Sequence, residues 1–284
     1  MKKNIGIIGT NGFLSENLIS FIDKKQFELI KIGKTNYDLK CNYFDTNDLI
    51  KIFNKYKFDT IINCVGYTQI DQLPKNIDLC FTLNTRVVHN ITEGIKNSIH
   101  KPFLIHFSTD HLYSSKGYSD ENDINIKNYY ALSKLQSEYF ASFTKSMIIR
   151  SNFFGKSKHK TKKSLSDWII NSLRKKIKIK AFNDIFFNPI NFETLGKIIN
   201  LSIQKKHIGI FNIGSSGGMS KANFARIIAK TNNLDTKLLI PISSKGFFKT
   251  TRPKDMRMNC SKFEKKFKFF LPSLSDEIKN FELL

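Results

Sequence analysis

Cysteine is scarce in this sequence, and the few cysteines lack the spacings of a disulfide framework or a zinc site. The 284 residues include four of them, Cys41, Cys64, Cys80 and Cys260. No two are separated by two residues, so the CxxC pairs of zinc sites and redox motifs are absent. We therefore expect free thiols in a reducing compartment and no metal site.

A long apolar run is also missing. The run behind the basic amino terminus, Ile5 to Ile8, is interrupted by glycine and is too short for a signal peptide. No other stretch approaches the roughly 18 apolar residues that a membrane span needs. These absences predict a cytoplasmic protein without a membrane span.

Acidic residues are few beside the basic ones, with 24 Asp and Glu against 46 Lys and Arg and a formal net charge of +22. Such a charge is typical of nucleic-acid binders. However, the lysines are scattered, and the tightest cluster, Lys156 to Lys163, lacks the aromatics of a stacking surface. We predict no nucleic-acid partner, and note that an anionic small substrate such as a nucleotide diphosphate would be attracted by the same field.

Short apolar runs alternate with longer amphipathic runs through the first half of the chain. The pattern predicts strands at about 4–8, 27–32, 60–64, 103–108 and 147–150, and helices at about 13–23, 48–56, 76–97 and 129–144. Nearly continuous apolar strands alternating with helices indicate a parallel sheet covered on both faces. The predicted fold is α/β, a doubly wound Rossmann sheet.

The second half is less regular and predicts a smaller C-terminal α/β domain that binds substrate. Helices are expected at about 164–174, 193–203 and 221–231, with Trp168 as a core residue of the first, and short strands at about 177–181 and 211–213. We predict a dinucleotide-binding domain over residues 1–152 with a returning segment at about 184–213. The substrate-binding domain then comprises residues 153–183 and 214–284.

A glycine-containing turn, Gly9-Thr-Asn-Gly12-Phe-Leu-Ser15, follows the first predicted strand. The first glycine permits a tight turn, and the second lets the backbone approach a pyrophosphate, which the helix N-terminus attracts. Ser15 stands where a third small residue is usual. The turn predicts a dinucleotide site formed by Gly9, Asn11, Gly12, Phe13 and Leu14.

The end of the second strand bears on which dinucleotide binds. It reads Ile32-Gly33-Lys34-Thr35 and lacks the acidic residue that binds the ribose hydroxyls of NAD. Lys34 can pair with the 2′-phosphate of NADP, or can be one more solvated lysine of a lysine-rich chain. We predict NADPH as the cofactor, with NADH as the alternative.

Tyr130 and Lys134 stand four residues apart on a predicted helix and therefore share one face. A free tyrosine, with a pKa of about 10, is a poor acid at neutral pH, but a nearby ammonium stabilises the phenolate and lowers that pKa. Thr109 follows a strand that ends at Ser108, at the sheet edge where ligands bind. Its hydroxyl could hold the substrate oxygen, so the three side chains form a candidate catalytic group.

These motifs resemble those of the extended short-chain dehydrogenases/reductases, and most of all the dTDP-4-dehydrorhamnose reductase group. The resemblance covers nearly the whole chain and includes Asn63-Cys-Val-Gly66-Tyr-Thr68 with Asp71, Asn84, Ser108-Thr109-Asp110-His111, Asn128-Tyr-Tyr130-Ala-Leu-Ser133-Lys134, Asn183-Asp184 with Pro189, and Arg252-Pro253. It implies NAD(P)H-dependent reduction of a keto group, at C4 of a nucleotide-linked deoxysugar, in surface polysaccharide sugar biosynthesis. In that reaction Tyr130 gives the proton, Lys134 binds the ribose, and Thr109 hydrogen-bonds the carbonyl.

The resemblance also implies further binding residues and a partner. Additional cofactor contacts are expected from Asp45, Cys64, Val65, Gly66 and Asn84. Substrate contacts are expected from Thr68, Asp110, His111, Phe153, Asn188 and Arg252, of which the arginine meets the substrate diphosphate. The partner is then a nucleotide-diphosphate sugar, and whether the chain forms a homodimer stays open.

Two departures from the family pattern limit what it implies. Phe153 stands where the rhamnose reductases usually have a sugar-contacting tryptophan, which leaves the identity of the sugar open. His111 stands where a related dehydratase has glutamate, which disfavours dehydration. The alternatives are a sugar-nucleotide epimerase on the same fold and a non-catalytic regulatory subunit, and the intact catalytic side chains argue against the second.

Overall fold

The computed structural model describes residues 2–34, 37–159 and 161–280 and divides the chain into two compact units. The first unit comprises Met1–Thr109, Asn128–Arg150 and Gly196–Phe211, and the second Asp110–Lys127, Ser151–Leu195 and Asn212–Leu284. The predicted division was discontinuous in the same way but differs in two segments. Residues 110–127 belong to the second unit, and the returning segment begins at Gly196 rather than near residue 184.

Long-range hydrogen bonds account for both differences. The backbone N–H of Asn212 donates to the Glu121 carboxylate at 3.0 Å, and the N–H of Ser119 donates to the Arg257 carbonyl at 2.9 Å. Residues 186–187 and 190–191 form short strands whose partners lie in the second unit. Local sequence patterns carry no information about such distant partners.

The strands of the described residues are β1 (Lys3–Ile8), β2 (Phe27–Gly33), β3 (Leu39–Lys40), β4 (Thr60–Asn63), β5 (Phe103–Phe107), β6 (Ser146–Ser151), β7 (Phe153–Phe154), β8 (Ile179–Phe182), β9 (Phe186–Phe187), β10 (Ile190–Asn191), β11 (Gly209–Ile213), β12 (Met219–Ser220) and β13 (Leu239–Ile242). A seven-stranded sheet has the order β11-β6-β5-β4-β1-β2-β3. Strand β1 runs parallel to both β2 and β4. The strand order reverses between β1 and β4, and ligands of such sheets bind at the carboxyl ends of the strands at that point.

The helices are α1 (Phe13–Leu18), α2 (Thr46–Tyr56), α3 (Ile77–Phe81), α4 (Val87–Asn97), α5 (Tyr129–Ala141), α6 (Leu165–Arg174), α7 (Phe192–Lys205), α8 (Lys221–Thr231), α9 (Ser261–Phe267) and α10 (Leu274–Lys279). Side-chain caps fix several starts. Asp45 caps α2, Asn128 caps α5 and Ser164 caps α6 in a capping box with Asp167. Within the described ranges, none of these helices is long and apolar enough to cross a membrane.

A π-helical turn interrupts the single helix predicted at 76–97. Thr82–Arg86 widens the backbone between α3 and α4. Turns of this kind are rare and frequently lie at functional sites. Here the widened turn carries Asn84, whose side chain is fully buried.

The second unit has its own core and small paired strands. Strand β8 pairs in parallel with β13, and β9 pairs antiparallel with β12. Phe154, Phe187 and Phe224 pack edge to face in this core, with ring centroids 5.1 and 5.2 Å apart. Trp168 was predicted to be a core residue of α6, but 48% of it is exposed, so that prediction is wrong.

Lysine occupies the left-handed backbone positions where helices and turns usually have glycine. Lys57 ends α2 with φ 47°, and Lys268 ends α9 with φ 52°. Lys101, Lys176 and Lys206 also have positive φ. The left-handed conformation brings a Cβ close to the following carbonyl and costs roughly 1–2 kcal/mol per residue.

We expect Lys57→Gly to stabilise the protein by about 0.5 kcal/mol. Relief of the left-handed strain is partly offset by the greater freedom of glycine in the unfolded chain and by loss of a cation at the helix end. The denaturant midpoint of the whole chain measures this change. As a control, Lys51→Gly on the exposed surface of α2 should cost about 1 kcal/mol, and a loss of stability in both variants would contradict the prediction.

Candidate active site

The turn between β1 and α1 can be formed only with glycine at its first position. Gly9 has φ 89°, and a Cβ there would lie 2.7 Å from the backbone nitrogen of Val65. The N–H of Gly12 donates to the carbonyl of Gly9 at 3.1 Å. Ser15, which replaces the usual third small residue, is fully buried and donates its hydroxyl to the same carbonyl at 2.7 Å. The serine therefore closes the turn with a hydrogen bond.

A cleft of about 210 Å³ opens beside this turn, at the carboxyl ends of β1 and β4. It is lined by seven residues predicted to bind the cofactor, namely Gly9, Asn11, Gly12, Lys34, Cys64, Val65 and Gly66. Four lining residues were missed, Thr10, Gly33, Tyr43 and Leu83. Thr10 and Gly33 lie between or beside predicted residues and could have been included. Tyr43 and Leu83 reach the cleft only through the packing of distant segments.

Three other residues predicted to bind the cofactor do not line this cleft. Phe13 and Leu14 form the first turn of α1, directly behind the glycine turn. Asp45 accepts a hydrogen bond from the N–H of Asn47 at 2.9 Å and so caps α2. A cofactor contact by these residues stays a prediction.

Lys34 lies at the end of β2, where the sequence predicted a choice between NADP and NAD. Its ammonium lies over the ring of Phe44, 4.7 Å from the centroid. The side chain is exposed and lines the cleft. A cation held on an aromatic face at the mouth of the cleft is suitable for binding a phosphate.

Tyr130 and Lys134 lie on the first turns of α5, which begins after the Asn128 cap. The Lys134 ammonium is buried and donates to the carbonyl of Phe107, at the end of β5, at 2.5 Å. Burial is the main cause that lowers the pKa of Lys134 to about 8, and Glu138 opposes this shift. The Tyr130 ring is buried in a cluster with Tyr67 and Cys80. Both candidate catalytic groups are thus held in fixed surroundings.

Gly66, which has no side chain, leaves space next to the Lys134 ammonium. A Cβ at this position would lie 4.0 Å from the Lys134 ammonium and 3.2 Å from the amide oxygen of Asn84. Because Gly66 also lines the cleft, a bound molecule can approach the ammonium there. The glycine turn, the exposed Lys34 and this gap fit a nicotinamide dinucleotide.

Asn84, which was predicted to bind the cofactor, lies in a network of buried hydrogen bonds. Its amide oxygen accepts from the N–H of Tyr67 at 2.7 Å, and its amide nitrogen donates to the carbonyl of Tyr67 and to the Ser133 hydroxyl. The side chain is fully buried and joins the loop after β4 to α5. A cofactor contact by Asn84 stays a prediction.

Two further buried networks support α5, and sequence reasoning missed both. The ring of His106 on β5 contacts the Asn63 amide at 3.2 Å and the Ser137 hydroxyl at 2.8 Å. Burial lowers the pKa of His106 well below its usual value, so the ring is neutral. The pattern of apolar residues shows that β5 is buried, but only the fold places its one histidine beneath α5.

The second network ties the end of β5 to α5 through an ion pair. The Ser108 hydroxyl donates to the Glu138 carboxylate, which also accepts two hydrogen bonds from Arg150, at 2.8 and 2.5 Å. Glu138 and Arg150 are 3% and 2% exposed. Removing one partner of such a pair leaves a buried uncompensated charge. Thr109 follows Ser108 directly and is buried.

The residues predicted to contact substrate divide between the two units. Thr68 is exposed in the first unit. Asp110, at the start of the second unit, accepts a hydrogen bond from the Asn152 amide at 2.8 Å. Burial and the nearby Lys221 and Arg252 lower the pKa of His111 to about 3, so this histidine is neutral at physiological pH.

Three remaining predictions concern Phe153, Arg252 and Asn188 of the second unit. The Phe153 ring packs against Phe192, with centroids 5.3 Å apart, and Arg252 stacks on Phe248 at 4.4 Å. Asn188 is 1% exposed, and its amide binds the backbone of Ser215 and Met258. The side chain of Asn188 connects three segments of the fold, and its substrate contact stays a prediction.

A Rossmann sheet with a glycine turn after β1, and a tyrosine and lysine one helical turn apart on α5, define an extended short-chain dehydrogenase/reductase. The family model described as the RmlD substrate binding domain matches residues 2–282. The chain belongs to this family, which confirms the resemblance inferred from the sequence.

Named relatives and a solved structure agree with this assignment. Spore coat polysaccharide biosynthesis protein SpsK of Bacillus subtilis (strain 168) is 22% identical over 253 residues, covering 87% of this chain and 86% of the relative. The dTDP-4-dehydrorhamnose reductase of Escherichia coli is 22% identical over 269 residues and 88% of each chain. The dTDP-4-dehydrorhamnose reductase of Bacillus anthracis str. Ames, solved in complex with NADP, has a TM-score of 0.89 at 22% identity and 99% coverage of both chains. The predicted fold class is confirmed.

Proposed function

We propose that this protein uses NADPH to reduce the keto group of a nucleotide-linked deoxysugar, at C4, in polysaccharide sugar biosynthesis. The observation that carries the proposal is the buried Lys134 ammonium, one helical turn from Tyr130 and close to Gly66, which lines the dinucleotide cleft. The names of the relatives, dTDP-4-dehydrorhamnose reductase and a spore coat polysaccharide protein, agree with this chemistry.

The side chains of this protein then have distinct roles. When bound, the reduced nicotinamide supplies the hydride. Tyr130 gives the proton to the substrate oxygen, and the Lys134 ammonium favours the phenolate that remains and binds the cofactor ribose. Thr109 hydrogen-bonds the keto oxygen where negative charge develops. Arg252 binds the substrate diphosphate through its guanidinium.

Activity of the purified chain tests this function. Nucleotide-linked 4-keto deoxysugars are mixed with NADPH, and the loss of NADPH absorbance is followed together with mass spectrometry of the sugar product. We expect the product to gain two hydrogens for each NADPH consumed. A sugar that changes configuration without net consumption of NADPH would show an epimerase instead.

We expect Lys34→Asp to move the cofactor preference from NADPH toward NADH. The substitution removes a cation from the cleft and places a carboxylate that repels a 2′-phosphate and can accept from ribose hydroxyls. A charged hydrogen bond contributes about 1.5–3 kcal/mol, so the ratio of the two Kd values should change at least about tenfold. The control is Lys40→Asp, an exposed lysine outside the cleft, and equal ratios in all three proteins would contradict the role of Lys34.

A further inference from the structure

Lys221 of the second unit lies where a positive charge is unfavourable. It is the first residue of α8, after the Ser220 cap, and the free N–H groups there make this the positive end of the helix. Burial of the ammonium, and then repulsion by Arg252, lower the pKa of Lys221 to about 8. A lysine at such a position requires a compensating negative charge.

The described part of the chain does not supply that charge. No carboxylate within it forms an ion pair with Lys221. Asp110 attracts the ammonium less than Arg252 repels it, and Asp110 already accepts from Asn152. The ammonium lies 5.8 Å from the centroid of the Phe187 ring, near the outer limit of a cation–π contact, and this neutral ring does not balance the charge.

Lys221 forms part of the wall of a cavity of about 440 Å³ in the second unit. The wall also includes the aromatic residues Trp168, Phe182 and Phe247 and two exposed lysines, Lys178 and Lys180. Trp168 and Phe247 are 48% and 52% exposed. A concave, aromatic surface with a few polar groups is typical of a small-molecule site, and the lysines of this one favour an anionic ligand. The missing negative charge can therefore come from a ligand.

We propose that Lys221 is the second cation, beside Arg252, of the site for the substrate diphosphate, and that it selects sugars linked through two phosphates over those linked through one. A diphosphate carries one more negative charge than the corresponding monophosphate and extends over two phosphorus atoms, so it can contact two cations at once. The stack on Phe248 orients the guanidinium of Arg252. Arg252 repels Lys221, and both lower the pKa of His111, so the two cations lie near each other. The inference rests on the proposed function, because it takes the substrate to be a nucleotide-linked sugar.

Calorimetric titration of the full chain with TDP, TMP and thymidine tests the proposal. Loss of one charged hydrogen bond corresponds to about 1.5–3 kcal/mol, so Lys221→Met should weaken TDP binding about 10- to 100-fold. TMP binding should weaken less, and thymidine binding should not change. Lys230→Met, on an exposed position of the same helix, is the matched control and should leave all three affinities unaltered.

Two further measurements separate this role from a structural one. In the free protein, burial and Arg252 disfavour the charge more than Asp110 favours it. Lys221→Met should therefore raise the thermal midpoint, whereas loss of a structural lysine would lower it. Lys221→Arg keeps the cation and should keep the preference for TDP over TMP. An unchanged preference in Lys221→Met, or an equal loss of thymidine binding, would overturn the proposal.

The outcome is independent of the catalytic test. If the preference for TDP depends on Lys221 but the protein reduces no 4-keto nucleotide sugar, the diphosphate site is supported and the proposed function is wrong. If the protein is an active reductase but Lys221→Met keeps the preference for TDP over TMP, only the role of Lys221 in substrate binding is wrong.

Discussion

Replacing Tyr130 with phenylalanine should lower turnover by at least about 100-fold while the protein still folds and binds NADPH. The change removes one hydroxyl from a ring that stays packed against Tyr67 and Cys80. General acid catalysis contributes roughly 100- to 10,000-fold, and no proton donor would remain at this position. Single-turnover reduction of the keto-sugar, with cofactor affinity measured in parallel, gives the result.

The adjacent tyrosine provides a matched control for this experiment. Tyr129 is 54% exposed on the same helix, and Tyr129→Phe should keep wild-type activity. Near wild-type turnover in Tyr130→Phe would show that another group donates the proton. His111 is a poor substitute, because its pKa of about 3 leaves it without a proton to donate as imidazolium at neutral pH.

Lys134→Met should be as damaging to turnover as Tyr130→Phe, and should weaken cofactor binding as well. The ammonium both favours the phenolate and binds the ribose, so its loss affects two steps. Lys145→Met, at an exposed position of the same unit, is the control and should change neither quantity. Normal NADPH affinity in Lys134→Met would show that Lys134 does not contribute to binding the cofactor ribose.

The pH dependence of the wild type provides a second test of Lys134. Because its pKa in the folded protein is about 8, the ammonium is lost as the pH rises through that value, and turnover should fall there. Stability should change in the opposite direction. The unfolded chain keeps the proton to a pKa of about 10.4, so the contribution of Lys134 to the free energy of unfolding rises with pH between these values. The rise should be absent in Lys134→Met.

Local chemistry made much of the site predictable from the sequence. Gly9 and Gly12 were found because only glycine permits the turn, and Tyr130 and Lys134 because a four-residue spacing places them on one helix face. The doubly wound sheet followed from the alternation of apolar strands with amphipathic helices.

The sequence did not reveal contacts between distant segments. The amide of Asn188, a predicted substrate contact, donates to the backbone carbonyls of Ser215 and Met258. Asn84 sits on a π-turn, which helical periodicity does not reveal, and binds the loop at Tyr67. Trp168 was assigned to the core because tryptophan is usually buried, yet it borders a cavity of the second unit.

The hydrogen-bonded connection from Ser108 through Glu138 to Arg150 has a consequence for how this protein can evolve. It fastens the strand that precedes Thr109 to the helix that carries Tyr130 and Lys134, entirely within the first unit. Because no residue of the second unit takes part in this connection, substitutions in that unit leave its hydrogen-bonding partners unchanged. Under the proposed function, different sets of substitutions then change the accepted sugar and the geometry of the proton donor.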